Sequence, residues 1–223
     1  EQQWHSAINA AYSISYSTLV YPVKCMLASN IPNNDGLIEP IKMIAPKGSI
    51  VNCTFPAPVK ARAKVIKHIP PLVFGAFEKI LPKEVIAAAG GIFPVHFVGK
   101  DDNLKHFAVH MLPHGGLGGM YNSDGKFPCA YPHNSLVTPS EIIESKCPVK
   151  VLKKEILKNS SGIGQYRGGP GQKIVFKNIS NDIIKLTIRP DMIKYPAKGL
   201  YGGGNGINGA VILDGKQIYD FKP

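Results

Sequence analysis

Apolar residues recur at helical spacing early in the 223-residue chain and at strand spacing later. Between Ala7 and Val20, Ile8, Tyr12 and Leu19 fall near a 3.6-residue period, and the stretch is long enough for a packed helix. Two short strand-like runs follow the turn Asn33–Gly36, namely Ile41–Ile44 and Ile50–Cys53. Pro70 and Pro71 then suit the first turn of a second helix whose apolar face would be Leu72, Val73, Ala76, Phe77 and Ile80, with Pro82 as its stop. A short helical piece is expected over Glu84–Ala89. From Phe93 the period becomes two: Phe93, Val95 and Phe97 alternate with polar neighbours, and so do His106, Ala108 and His110 with Phe107, Val109 and Met111. Val149–Leu152, Lys173–Phe176 and Ile183–Arg189 are further strands, with Asn181 and Asp182 as the expected hairpin turn between the last two and Asp214–Gly215 as another turn.

The pattern predicts an α+β fold, strand-rich with short helices: a mixed α/β core with pocket loops over 1–145 and a β-rich end over 146–223. Nineteen Pro and 23 Gly favour many turns over long helices, and a mean hydropathy of -0.02 fits a folded soluble chain. No apolar run reaches the roughly 18 residues of a membrane span, so no membrane partner is expected. The four cysteines, Cys25, Cys53, Cys129 and Cys147, form no CxxC pair and read as reduced thiols of a cytoplasmic protein. The net charge of +11 raises the question of an anionic partner. Its densest clusters, Lys60–Lys67 and Lys150–Lys158, lack interleaved aromatic residues, which argues against nucleic acid.

Candidate chemistry concentrates in two glycine-rich stretches, His114–Gly125 and Asn159–Gly171. The second carries five glycines and Arg167. Glycine there suggests a chain turned tightly or into left-handed conformations, which would hold the Arg167 guanidinium on one defined set of acceptors. The spacing Gly162, Gly164, Gly168 is one residue too long for a dinucleotide fingerprint, and a strand follows where a helix is needed. No Gly-Lys-Ser/Thr loop is present for ATP. His106, His110 and His114 are spaced by four, but on a strand the outer two lie too far apart for one ion, leaving them weak metal candidates. Asp124 before Gly125 places a carboxylate at a turn. Thr138, Pro139 and Glu141 read as a capped helix start, and Glu144 is left over as a candidate general base, electrostatic partner or surface charge.

The segment Ser-Ser-Gly-Ile-Gly-Gln-Tyr-Arg-Gly-Gly-Pro-Gly, ending at Gly171, resembles the Asp-Ser-Gly-Gly-x-Gly-x-Tyr-Arg-Gly-Gly-x-Gly segment of the hydantoinase B/oxoprolinase family. Three further matches occur in order: Asn33–Gly36 with Ala45–Ser49, Thr138–Glu144, and Gly199–Gly203. The resemblance implies the later, C-terminal portion of a larger hydantoinase B-type subunit. It further implies an ATP-dependent hydrolase of cyclic amides (hydantoins, oxoproline, lactams), inactive as an isolated chain, or a component of an acetone- or acetophenone-type ketone carboxylase, or a non-catalytic half of such a complex. Phosphorylation of a carbonyl or enol oxygen is the shared logic. ATP and magnesium would belong to a hydantoinase A-type partner subunit, and a divalent metal to an absent N-terminal half, so that no cofactor is bound by this chain alone. Asn34, Gly36, Asn122, Asp124, Glu141 and Arg167 are the substrate-pocket or loop candidates. Asn159 stands where the family segment has Asp.

Overall fold

The computed structural model describes residues 1–132, 134, 135 and 137–218. The described residues form two units, one of residues 1–86 and one of residues from 87 to 218. The expected change of character at 145/146 falls inside the second.

The first unit is helical. Its longest element is α1 (Tyr12–Leu27), followed by α2 (Asp35–Ile38), α3 (Ala63–Ile66) and α4 (Ile69–Phe77). The first helix begins five residues later than the apolar period suggests and runs through Pro22. Residues 7 to 10 are taken by other partners: Ala61 N donates to Ala7 O (2.7 Å), Ala10 N to Ile50 O (2.8 Å) and Cys53 N to Ala10 O (3.0 Å). Beside them Asn9 is fully buried, accepting from Gln3 N (2.6 Å) and donating to the Gln3, Ser6 and Pro58 carbonyls. A buried amide so fully engaged costs little to desolvate and fixes the chain around it.

Neither Ile41–Ile44 nor Ile50–Cys53 becomes a strand; only an isolated bridge joins Ser49 and Asn52. Hydroxyls of α1 satisfy these carbonyls instead, with Tyr16 donating to Ile38 O and Ile41 O and Tyr12 to Met43 O. The prolines do open α4, but its buried face is Pro70 and Phe74. Leu72 and Ile80, assigned to that face by period, are both 71% exposed. Glu84–Ala89 is not helical, because Ala87 N and Ala88 N donate across to Gly119 O and Lys198 O.

The second unit contains β1 (Val95–Lys100), β2 (His106–Met111), α5 (Ser140–Lys146), β3 (Val149–Ile156), β4 (Gln172–Asn178), β5 (Lys185–Ile188), β6 (Val211–Leu213) and β7 (Lys216–Ile218). All pairings are antiparallel: a three-stranded sheet in the order β2-β1-β5, and the ribbons β3-β4 and β6-β7. The sequence alternation is realised in β1 and β2. Val95, Phe97, Val109 and Met111 enter the core with Ile143, Cys147 and Val149, and the Phe97 and Phe176 rings meet edge to face at 5.2 Å. Asp214 and Gly215 make the β6-β7 turn at positive φ, as expected.

Asn181 and Asp182 do not join a hairpin. β4 pairs with β3, and β5 crosses to the other sheet to pair with β1. The turn residues instead hydrogen-bond locally, Asp182 N donating to Ser180 Oγ and Asn178 Nδ2 to Asp182 O. Among the described residues no helix is long and apolar enough to cross a membrane.

Candidate functional site

The glycine-rich loops of the second unit are laced to one another by backbone hydrogen bonds. Gly169 N donates to Leu117 O (2.7 Å), Gly125 N to Arg167 O (2.7 Å), Gly168 N to Gly162 O (3.0 Å), Gly204 N to Ile163 O (2.7 Å) and Ile207 N to Ser160 O (3.2 Å). Ser160, buried at the base, donates from Oγ to Leu157 O (2.6 Å) and accepts from Gly171 N (2.7 Å).

This packing explains the glycines differently from the sequence. None of Gly162, Gly164, Gly168, Gly169 or Gly171 has a positive φ. At Gly169, and at Gly118 in the facing loop, glycine is required by close approach instead: a Cβ on Gly169 would overlap the Lys126 carbonyl oxygen, and one on Gly118 would overlap that of Ala87. The left-handed position in the stretch is Asn159, at φ 57°, a conformation that asparagine tolerates.

Arg167 sits where these loops cross. Its N–H donates to Asp124 Oδ1 (2.8 Å) and its carbonyl accepts from Gly125 N, so the main chain is gripped on both sides. Next to it Tyr166 is half-buried and donates its hydroxyl to Asn122 Oδ1 (2.9 Å), Asn122 itself being at φ 59°. The Arg167 side chain is exposed. Among the described residues its guanidinium makes no hydrogen bond and no ion pair; Asp124, the carboxylate beside it, engages the backbone. The expected set of side-chain acceptors is therefore not there. The loops hold the backbone of Arg167 and present its side chain.

A family model described as hydantoinase B/oxoprolinase matches residues 1–221. The chain belongs to the hydantoinase B/oxoprolinase family. It is 32% identical over 97% of its length to an uncharacterized protein of Methanocaldococcus jannaschii, of which it covers 38%. It is also 32% identical over 82% of its length to a putative B-type component of a D-/L-hydantoinase from Pseudomonas sp., covering 31% of that protein. The chain thus spans well under half the length of these relatives. Among solved structures, the ATP-dependent caprolactamase of Pseudomonas jessenii gives a TM-score of 0.66 at 22% identity over 77% of this chain and 31% of that one. The nucleotide-free acetone carboxylase gives 0.66 at 20% over 82% and 25%. At these identities the likeness is one of fold, and it bears out an α+β architecture belonging to larger enzymes.

Of the other candidates in this hydantoinase B-family chain, Asn122, Asp124 and Arg167 are the ones brought together. Glu144, at the end of α5, accepts from Lys150 Nζ (2.9 Å) and Val151 N (2.8 Å). The Lys150 hydrogen bond, followed by the Val151 N–H, holds its carboxyl below the usual glutamate range. So placed, it ties α5 to β3 and is a weak proton acceptor, contrary to the role of general base. A folded-state pKa below the unfolded one means its contribution to stability is full above the ordinary glutamate value and disappears as pH falls through the depressed one. Glu144→Gln is accordingly expected to lower the melting temperature at neutral pH, with the gap to wild type closing in acid, and to leave turnover of the assembled complex unchanged. Melts between about pH 7 and pH 3 with parallel assays check this. Intact stability with lost turnover would restore the catalytic role.

Glu141 is exposed in the first turn of α5, and the capping box is absent: the helix starts after Pro139, with no side-chain cap. Pro139 is extended (φ −59°, ψ 149°), which moves the start one residue beyond the Thr138 cap expected from sequence. Asn34 caps α2 by accepting from Leu37 N (3.0 Å), and Gly36 lies in that one-turn helix; both belong to the first unit. The three histidines are separated: His106 and His110 are exposed on one face of β2, while His114 lies beyond the strand and is buried. No group of three or more His, Cys, Asp or Glu able to hold a metal ion occurs among the described residues.

Two features had no signal in the sequence. His96 lies opposite His110 in the β1-β2 register, with their rings stacked at 4.3 Å, and Arg189 Nη2 lies 2.9 Å from His96 Nε2. Burial and, secondarily, Arg189 lower the pKa of His110. In the first unit, burial and the neighbouring Lys64 bring Lys67 down to about 7.

Proposed function

We propose that the chain works within a hetero-oligomer that opens cyclic amides, of the hydantoin, oxoproline or lactam type, at the expense of ATP. The observation supporting this reading is that the segment resembling the family motif is the one that presents Arg167 on a backbone held from both sides. The N–H groups of Gly168 and Gly169 are already bonded to carbonyls, which leaves the guanidinium as the strongest donor at the loop crossing. A planar fork suits a carboxylate or an activated carbonyl oxygen that gathers negative charge. Tyr166, next in the chain, has its hydroxyl fixed by Asn122.

ATP would be held by a hydantoinase A-type partner and supplies the phosphoryl group that activates the carbonyl. No group of three or more His, Cys, Asp or Glu able to hold a metal ion occurs among the described residues, and on this reading a divalent metal would be bound outside them. On this reading Arg167, Tyr166 and Asn122 orient the substrate; none of them is assigned a proton transfer.

A ketone carboxylase component is the second reading, favoured by the equal structural likeness to acetone carboxylase. Reconstitution with the partner protein separates the two. The cyclic-amide reading expects a ring-opened acid that needs ATP and no bicarbonate. Product that forms only with bicarbonate, and carries its carbon, would establish the carboxylase reading instead.

A further inference from the structure

The outward face of the β2-β1-β5 sheet carries a charge pattern of one sign. The inward face is Val95, Phe97, Val109 and Met111, with Leu186 and Ile188 in register. The outward face follows from the same pairing. Lys100 lies opposite His106; Val98 lies between Ala108 and Lys185; His96 lies between His110 and Thr187. Arg189, just past β5, is drawn to this face by its contact with His96. Lys100, Lys185, His106 and His110 are exposed.

No Asp or Glu occurs anywhere in these three strands. Asp101, just past β1, is committed to its own turn, accepting from Asn103 N and Lys105 N. Asp191, beyond the end of β5, is buried. An ordinary solvated sheet face mixes both signs, because like charges side by side destabilise a sheet. Here three permanent cations and three imidazoles share one face.

The geometry of the face selects its ligand. From His96 to Lys100 is about 13 Å along the strand, and the three strands span about 10 Å across. The cations are thus spread over a patch and do not converge on a single small anion. A single-stranded nucleic acid would need aromatic platforms, yet Phe97 and Phe107 point to the inward side and the His96 and His110 rings stack on each other. For a lipid surface the face offers only Val98 as a sizeable apolar group. An acidic protein surface fits best, since complementary charge steers and orients such an encounter.

We propose that this face docks an acidic surface of a partner protein, one presenting several Asp or Glu carboxylates in a patch of matching extent. The proposal is independent of the reaction catalysed, and its test requires no substrate.

The probe is fluorescein-labelled poly-L-glutamate, titrated with the full chain and followed by anisotropy. Wild type is expected to bind, and binding should weaken steeply as salt rises. Lys100→Glu with Lys185→Glu should weaken binding about tenfold, whereas Lys42→Glu with Lys47→Glu, the same charge change on exposed residues of the first unit, should change it less than about twofold. The neutral pair Lys100→Gln and Lys185→Gln, gentler on folding, should fall between. Equal weakening by both reversal pairs would reduce the effect to net charge and overturn the proposal. So would a selective loss, with the sheet pair, of binding to polyuridylate or to phosphatidylserine vesicles while poly-L-glutamate binding persisted.

Discussion

Replacing Arg167 by Ala is expected to leave the melting temperature of the chain where it is and to cut kcat/KM of the assembled enzyme about 100-fold. Stability is insensitive because the guanidinium has no partner to lose among the described residues, and the groups that hold the loop are the Arg167 N–H on Asp124 and the Arg167 carbonyl on Gly125. An alanine retains both. Exposed substitutions that break no such link change stability by less than about 0.5 kcal/mol. The activity loss follows from removing a planar two-pronged donor from a place where the backbone has fixed its origin. Arg167→Lys keeps the charge and loses the fork, so it should recover only part of the rate, with kcat/KM about tenfold below wild type. Melting curves and steady-state kinetics on both variants of the complex check this. A melting temperature lowered by several degrees would show that the guanidinium braces the loop, and unchanged kinetics would remove Arg167 from the site.

The second large effect concerns the loop packing itself. Gly169→Ala should cost about 3 kcal/mol or more, because the new methyl group meets the Lys126 carbonyl and neither chain can withdraw without breaking the Gly169–Leu117 hydrogen bond. For a unit of this size that corresponds to a melting temperature lowered by roughly 10 °C. Gly171→Ala, two residues away, should be nearly neutral: its nearest neighbour would be Ser160 Oγ at 3.6 Å, an ordinary contact, and its φ is not positive. Thermal denaturation of the pair isolates close approach as the cause. If both substitutions were tolerated, the loops would be far less tightly laced than described. If both were severe, a backbone conformation open only to glycine would be the better explanation.

These two predictions mark what could and could not be read from the sequence. The glycine run and its arginine were visible as a singular stretch, and the family resemblance lay in the same residues. What glycine does there was not visible, because close approach depends on residues 117 and 126, more than 40 positions away along the chain. The same holds for Asp124: the loop carrying it was legible, but the turn lies at Tyr121 and Asn122 and not at Asp124–Gly125, and its acceptance of the Arg167 N–H was not visible. Period-two alternation placed Val95 and Phe97 in the core correctly, since a strand buried on one face leaves that signature in any context. It was silent on which strand pairs with which, so local turn residues at 181 and 182 suggested a hairpin that the β1-β5 pairing displaces. Helix limits failed for a related reason. Residues 7 to 10 have a helical apolar pattern, but their hydrogen-bonding groups are claimed by residues 50 to 61. The His96–His110–Arg189 cluster was illegible because it exists only through register.

The claim that matters most is that the complex containing this chain activates a cyclic amide at its carbonyl oxygen and then opens the ring with water. A substrate labelled with oxygen-18 in that carbonyl tests it directly. Water adds to the O-phosphorylated carbon, the ring C–N bond breaks with the nitrogen taking a proton, and a second water attacks the carbon of the resulting acyl phosphate. The label should therefore leave in inorganic phosphate, one labelled phosphate for each ring-opened acid, without bicarbonate. Label retained wholly in the organic product, or product formed only when bicarbonate is supplied, would contradict the account.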